Sequence, residues 1–394
     1  MAANTELAAR MAALGLTRLE LAEQLNDVIE EFTGRRGDLS DRTIRRYLSG
    51  QTRWPQGRQR AALSAVFHRT PEELGFTPPS ASAASKRNAH AVTQQIGGTE
   101  VQQLQDRFNV LVARDNRYGG GPDIEARAAD LVEEALAFQR YGSVSRRVRS
   151  ALYACAASFA SSAMWAAIDS RRREAAEYHF TRASSLATVS GDQAIQFRIW
   201  SHAGSFYRHL GRPADALAAN DVARGLPIAR RDPMFAALGH ARHAAIHGSM
   251  GNATGVRRAL AHAHGALDRA DASTRRPVWM TAVCDRAEIE ELAVSAHLSL
   301  GDFPRAEAHA YRSLALLRPH MRRDRALVTA RLACAQLGQG ELELSLATAM
   351  TVSSGALAHH PRVAAVLNEF GARLKAMAPR STHFRTWEEH QHPS

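Results

Sequence analysis

Ser40-Asp41-Arg42-Thr43-Ile44-Arg45-Arg46-Tyr47-Leu48-Ser49-Gly50 reads as one short helix with both ends marked. Leu39, Ser40 and Ile44 have the layout of a hydrophobic staple around an N-cap, and Gly50 is the stop. Ile44, Tyr47 and Leu48 turn to one face at helical spacing. Asp41, Arg42, Thr43, Arg45 and Arg46 are left outside, so the face turned to water carries three arginines.

Upstream, Leu7, Met11 and Leu14 share a helical face that Gly15 closes, and Thr17 with Glu20 forms a capping box that opens the next helix. That helix carries the stripe Leu21, Ala22, Leu25, Val28, Ile29, Phe32 and is broken at Thr33-Gly34-Arg35-Arg36-Gly37. Downstream, Ala62, Leu63, Val66 and Phe67 mark a fourth helix. Thr70-Pro71-Glu72-Glu73 is expected to cap a short fifth, with proline at the first helical position. Charge is segregated along this stretch: Met1–Gly34 nets −4, Arg35–Arg69 nets +7 and Thr70–Phe76 nets −2. A basic stripe centred on one short helix is a stronger nucleic-acid signal than bulk charge.

The Ser40–Gly50 segment, followed by Arg53-Trp54-Pro55, resembles the recognition helix and following turn of repressor/Cro-type (XRE-like) helix-turn-helix proteins. Thr17-Arg18-Leu19-Glu20-Leu21-Ala22 resembles the first helix of that motif. The link from Thr33 to Leu39 departs from the pattern in being longer than its three- or four-residue turn, and Leu48 stands where many members have glutamate. The wider pattern, with Gly34-Arg35-Arg36-Gly37 ahead of the helix and Arg53-Trp54-Pro55-Gln56 after it, is similar to a group of actinobacterial regulators that pair this head with a helical-repeat domain. Read this way, the short helix enters the major groove, with Asp41, Arg42, Thr43 and Arg46 at base edges. Arg35, Arg36, Arg45, Arg53, Arg58 and Arg60 go to phosphates.

Pro78-Pro79-Ser80-Ala81-Ser82-Ala83-Ala84-Ser85 has the composition of an exposed linker. The expected domains are therefore a helix-turn-helix unit over 1–76, a flexible linker over 77–99, a helical domain over 100–380 and a polar, fraying tail over 381–394. Within the long part, Leu210-Gly211, Met250-Gly251, Leu300-Gly301 and Leu337-Gly338 each close one helix before an alanine-rich one, at glycine spacings of 40, 50 and 37. Over about Arg146–Ala378 this resembles tetratricopeptide repeats, which have a period of ~34 residues. Alanines at 214, 216, 218, 219, 306, 308 and 310 allow close helix approach, and stacked pairs make one core and a concave groove. Helix phase points Arg198, Ser205, Arg208, His209, Glu288, Glu291 and Ser295 into that groove. His243 and His247 share a face and are placed there too, as groove or packing residues and not as a metal site, since no local cysteine or carboxylate joins them. The fold class is all-α: a helix-turn-helix bundle plus an α-solenoid of TPR-like helix pairs.

The whole chain, 394 residues with 45% apolar and 23% charged, has the composition of a folded protein and not a disordered one. Its net charge of +11 rests on arginine, with lysine only at 86 and 375. Arginine with much alanine is also what a GC-rich genome produces, so the distribution of charge says more than its total. No glycine-rich phosphate loop precedes either lysine, and no nucleophile elbow, kinase set or zinc-hydrolase motif occurs. The chain is expected not to be an enzyme and to need no cofactor. Cys155, Cys284 and Cys334 are odd in number and far apart, which points to a reducing cytoplasm. Ser150–Ile168 lacks charge but is rich in serine and alanine, so it reads as a buried helix and not a membrane span. The expected function is a cytoplasmic, homodimeric transcriptional regulator that binds a double-stranded DNA operator and senses a peptide or small-molecule effector. The alternative is a DNA-tethered TPR scaffold that captures a protein partner without a small effector.

Overall fold

Thr17 and Glu20 cap each other in the computed structural model as their spacing predicts: the Thr17 amide donates to the Glu20 carboxylate at 2.8 Å, and the Glu20 amide to the Thr17 hydroxyl at 3.3 Å. The structure describes residues 3–33, 36–67, 69–77, 96–141, 144–355 and 357–391. Residues 78–95, most of the expected linker, lie outside these, as does Arg35. Among the described residues there are twenty helices and no strand, so the fold is all-α.

The chain divides into two compact units, residues 1–113 with 135–155, and residues 114–134 with 156–394. The first holds α1 (Thr5–Ala13), α2 (Arg18–Thr33), α3 (Asp41–Leu48) and α4 (Gly57–Phe67). Leu7, Leu21, Leu25, Ile29, Ile44, Tyr47, Leu63 and Leu74 form its core. Thr70–Gly75 is a turn and not the expected fifth helix. Glu73 accepts from the Thr70 amide at 2.8 Å, and Gly75 takes the left-handed conformation with φ 79°, so the capping chemistry closes a single turn. Three longer helices are shared between the units by sequence: α5 (Gly98–Tyr118), α6 (Pro122–Tyr141) and α7 (Arg146–Asp169). Val110 and Ala113 of α5 pack on the first core, so that unit extends past the expected boundary. Among the described residues α7 alone is long and apolar enough to cross a membrane, and 78% of that window is buried in the protein.

The second unit continues with α8 (Arg173–Ser190), α9 (Gln193–His209), α10 (Pro213–Gly225), α11 (Pro227–Arg231), α12 (Pro233–Ser249) and α13 (Ala253–Asp268). Then follow α14 (Val278–Val283), α15 (Arg286–Leu300), α16 (Phe303–Leu316), α17 (Arg322–Gly338), α18 (Leu342–Ser353), α19 (Pro361–Met377) and α20 (Thr382–Gln391). Consecutive helices pair, and α9, α12, α15, α17 and α19 each pack on the next of that row. The apolar clusters show how: Ala244 of α12, Val256 and Leu260 of α13, and Ala293 of α15 share one, and Val294 of α15, Ala310 of α16 and Val328 of α17 the next. Small residues set the spacing; a side chain on Gly248 would lie 2.5 Å from the Ala296 carbonyl of α15.

The last fourteen residues do not behave as a fraying tail up to Gln391. They form α20, which buries Phe384 and Trp387 against Phe370 of α19, with the Phe370 and Trp387 rings edge-on at 5.0 Å. Two aromatics three apart are enough to dock an otherwise polar helix.

Candidate functional site

The basic surface in the first unit depends on how α3 is held. Its inner residues Ile44 and Tyr47 are fully buried, and the Tyr47 hydroxyl donates to Gln59 at 2.9 Å. The long link from α2 is clamped by one side chain: Asn26 accepts from the Leu39 amide and donates to the Leu39 carbonyl, each at 2.8 Å. Gly37 makes room for the clamp, since a Cβ there would stand 2.4 Å from Asn26 Oδ1. With the helix anchored, Arg42, Arg45 and Arg46 are exposed and have no acidic partner among the described residues, and Arg53 beyond the turn is the same.

The other expected DNA contacts that are described, Asp41, Thr43, Arg36, Arg58 and Arg60, are engaged within the protein. Asp41 pairs with Arg18 at 2.9 Å, and the Thr43 hydroxyl accepts weakly from the Ser40 amide at 3.4 Å, closing the helix start. Arg36 pairs with Asp27 at 3.3 Å and Arg58 with Asp38 at 3.2 Å, all on the surface. Arg60 donates to the Pro55 carbonyl at 2.6 Å and lies over the Trp54 ring at 4.8 Å. Surface pairs of this kind are worth ~0–1 kcal/mol, so a phosphate displaces them readily.

In the second unit a cavity of about 400 Å³ opens among α7, α8, α9, α15, α17 and α19. Of the residues expected in a groove, Arg208, His209 and Ser295 line it. Glu291 stands behind the wall, accepting from the lining Arg331 at 2.8 Å. Arg198 is instead packed against α7, donating to the Ser158 carbonyl at 3.3 Å and Ser162 Oγ at 3.2 Å. Burial lowers its guanidinium to about 10. Ser205 bonds back to the Ser201 carbonyl at 3.4 Å. Burial, reinforced by the Glu291 charge, pushes the Glu288 carboxyl up to about 8, so it is mostly protonated at neutral pH.

His243 and His247 are not in the cavity. Their rings meet edge-on at 4.5 Å, and His243 Nδ1 stands 3.1 Å from Asn220 of α10. His243 is one residue, about 100°, round the helix from Arg242, which reaches Ser201 of α9 at 2.7 Å; that step turns it to α10 instead. No group of three or more His, Cys, Asp or Glu suited to a metal ion occurs among the described residues.

Sequence reasoning missed the hub of the unit. Asp169, fully buried at the end of α7, accepts from the Gly120 amide at 2.8 Å, from Arg323 at 3.0 Å and from Arg362 at 2.9 Å. His360 Nε2 is 3.1 Å away but off the line of a hydrogen bond. Burial works to raise the Asp169 carboxyl; the Arg323 and Arg362 charges outweigh it and hold the group well below the usual range. The cavity's other arginines, Arg171, Arg172, Arg173, Arg331, Arg362 and Arg373, were missed too. Phase was the available signal: Arg362, Val366, Glu369 and Arg373 follow at helical spacing along one stripe of α19.

Against known protein families, curated proteins and solved structures, the chain finds no match. Its function has to be argued from these two basic regions alone.

Proposed function

We propose that the chain is a sequence-specific DNA-binding transcriptional regulator of XRE-like type whose helical-repeat part, TPR-like in its paired helices, senses an effector. The observation that carries this reading is the set of exposed guanidiniums on α3, Arg42, Arg45 and Arg46, without acidic partners among the described residues and mounted on a buried inner face. Arg42 and Arg46 lie four apart on one side of the helix, so both can face one groove, where each can donate bidentately to guanine O6 and N7. Arg45 and Arg53 serve phosphates. The tie of Asp41 to Arg18 and of Thr43 to the helix start leaves base reading mainly to the two arginines. The protein works in the cytoplasm as a homodimer, and two heads would read half-sites about one helical turn apart. An effector acts by binding the DNA-competent and DNA-incompetent arrangements with different affinity.

Selection of bound duplexes from a random pool by the full-length protein tests this. Enrichment of one motif, repeated at a spacing of about 10 base pairs or a multiple, is the expected result. Salt-sensitive binding with no enriched sequence would leave only an electrostatic tether, the scaffold alternative.

A further inference from the structure

Of the seven arginines that line the cavity, two have no salt-bridge partner among the described residues: Arg171, which is exposed, and Arg208, which is half-buried. Five of its arginines are matched: Arg331 by Glu291, Arg362 by Asp169, Arg373 by Glu369, Arg173 by Glu177 and Arg172 by Glu125. Arg208 has no carboxylate within salt-bridge distance among the described residues, and the Glu291 charge reaches it only from beyond that distance. Its Nη2 instead donates to His209 Nε2 at 3.0 Å, which leaves the His209 proton on Nδ1. A half-buried guanidinium facing other arginines is costly, and burial with the Arg331 and Arg362 charges lowers it to about 9. His209 is exposed where it opens onto the cavity. Arg331 and Arg362 give few of their five N–H donors to their carboxylates, so donors remain.

The backbone accepts a second cost at the same wall. The positive-φ position closing α7 is Arg171, with φ 58°, the one non-glycine residue in that region among those described. Gly191, Gly211, Gly251 and Gly301 occupy the corresponding place after α8, α9, α12 and α15, with φ between 68° and 72°. Between these basic residues the cavity also has apolar lining, Phe206, Leu298 and Val366 among it.

We infer that this cavity binds a small organic anion, a carboxylate or phosphate head held by Arg208 and the His209 Nδ1–H and an apolar body against Phe206, Leu298 and Val366. The inference deepens the sensor reading above by giving its effector a chemical class. A volume of about 400 Å³ fits a small ligand. Arg208 is the missing half of an ion pair whose other half arrives with the ligand.

The test is thermal melting of the full-length protein with octanoate, octyl phosphate, octan-1-ol and octylamine, which share one apolar chain and differ in the head. Wild type is run beside Arg208→Gln and, as a surface control, Arg305→Gln. At least one anion should raise the melting temperature, and the alcohol and amine should not. Arg208→Gln keeps a donor for His209 and removes the charge; it should weaken anion binding about tenfold or more. Without ligand it should melt at or above the wild-type temperature, because an unmatched charge is gone. Arg305→Gln should follow wild type. The inference fails if the anions act no better than the alcohol, if Arg208→Gln binds them as well as wild type, or if ligand-free Arg208→Gln melts lower. The melts need no DNA, so a protein that binds octanoate but selects no DNA motif sinks the regulator reading alone.

Discussion

Arg42, Arg45 and Arg46 on α3 and Arg208, Arg331 and Arg362 around the cavity are the same side chain in opposite surroundings. The first three stand in water, where an unmatched guanidinium costs little and stays available to a polyanion. The second three are withdrawn from water, where a charge is tolerated only beside its counter-charge. Arg331 and Arg362 meet that condition with Glu291 and Asp169. Arg208 does not, and the anion proposed for the cavity rests on that exception. Free arginine is thus unremarked on a surface helix and informative inside a helical array.

The contrast breaks most sharply at Asp169. Asp169→Asn leaves Arg323 and Arg362 without their shared buried carboxylate and should cost roughly 3–5 kcal/mol in urea unfolding. Removing a partner from a surface pair such as Arg58–Asp38 should cost under about 1 kcal/mol. Because the folded Asp169 carboxyl is held below its ordinary value, its contribution is present above about pH 4 and is lost as acid reaches the lowered value. A loss of stability no larger than the surface pair's would contradict the hub assignment.

Glu288 carries the opposite sign. Its folded carboxyl is raised to about 8, so its contribution is full below the unfolded value of about 4.3 and disappears as pH rises toward 8. Glu288→Gln should match wild type in unfolding experiments near about pH 4 and exceed it near about pH 9. Equal stabilities at both would mean that Glu288 is solvated.

Asn26→Ala should cost about 1–3 kcal/mol, the penalty for leaving the Leu39 amide and carbonyl unmatched, and it should also weaken DNA binding by loosening the approach to α3. The smallest effect is expected from Thr17→Ala, about 1 kcal/mol of stability with DNA affinity little changed, because that cap serves the start of α2 and adds no group to the outer face of α3. A Thr17 variant that lost DNA binding while folded would place the reading surface elsewhere.

Much of the helix plan was legible because it rests on local chemistry: caps at Thr17 and Ser40, a stop at Gly50, and glycines at 211, 251 and 301 that close helices. Where tertiary contact decides, the sequence alone misled. The turn after Thr70 has a helix-start signature but no room to continue before Gly75. The polar segment holding α20 is ordered by two aromatics whose partner, Phe370, lies on α19. Among site residues, the phase of α9 and α15 placed Arg208, His209 and Ser295 at the cavity. The same phase pointed Arg198, Ser205, Glu288 and Glu291 inward, and none of them lines the cavity, while His243 and His247 take the packing role, against each other and Asn220 of α10, because which faces meet depends on the stacking of pairs and not on spacing within one helix.

The most direct measurement is fluorescence anisotropy of the protein on its selected duplex at two salt concentrations, wild type beside an Arg42→Ala, Arg46→Ala double variant. Bidentate base contacts are worth roughly 1–3 kcal/mol each, so the variant should lose most of its preference over a scrambled duplex while keeping much of its salt-dependent, non-specific binding. A variant that discriminates the two duplexes as well as wild type would contradict the assignment of α3 as the reading helix.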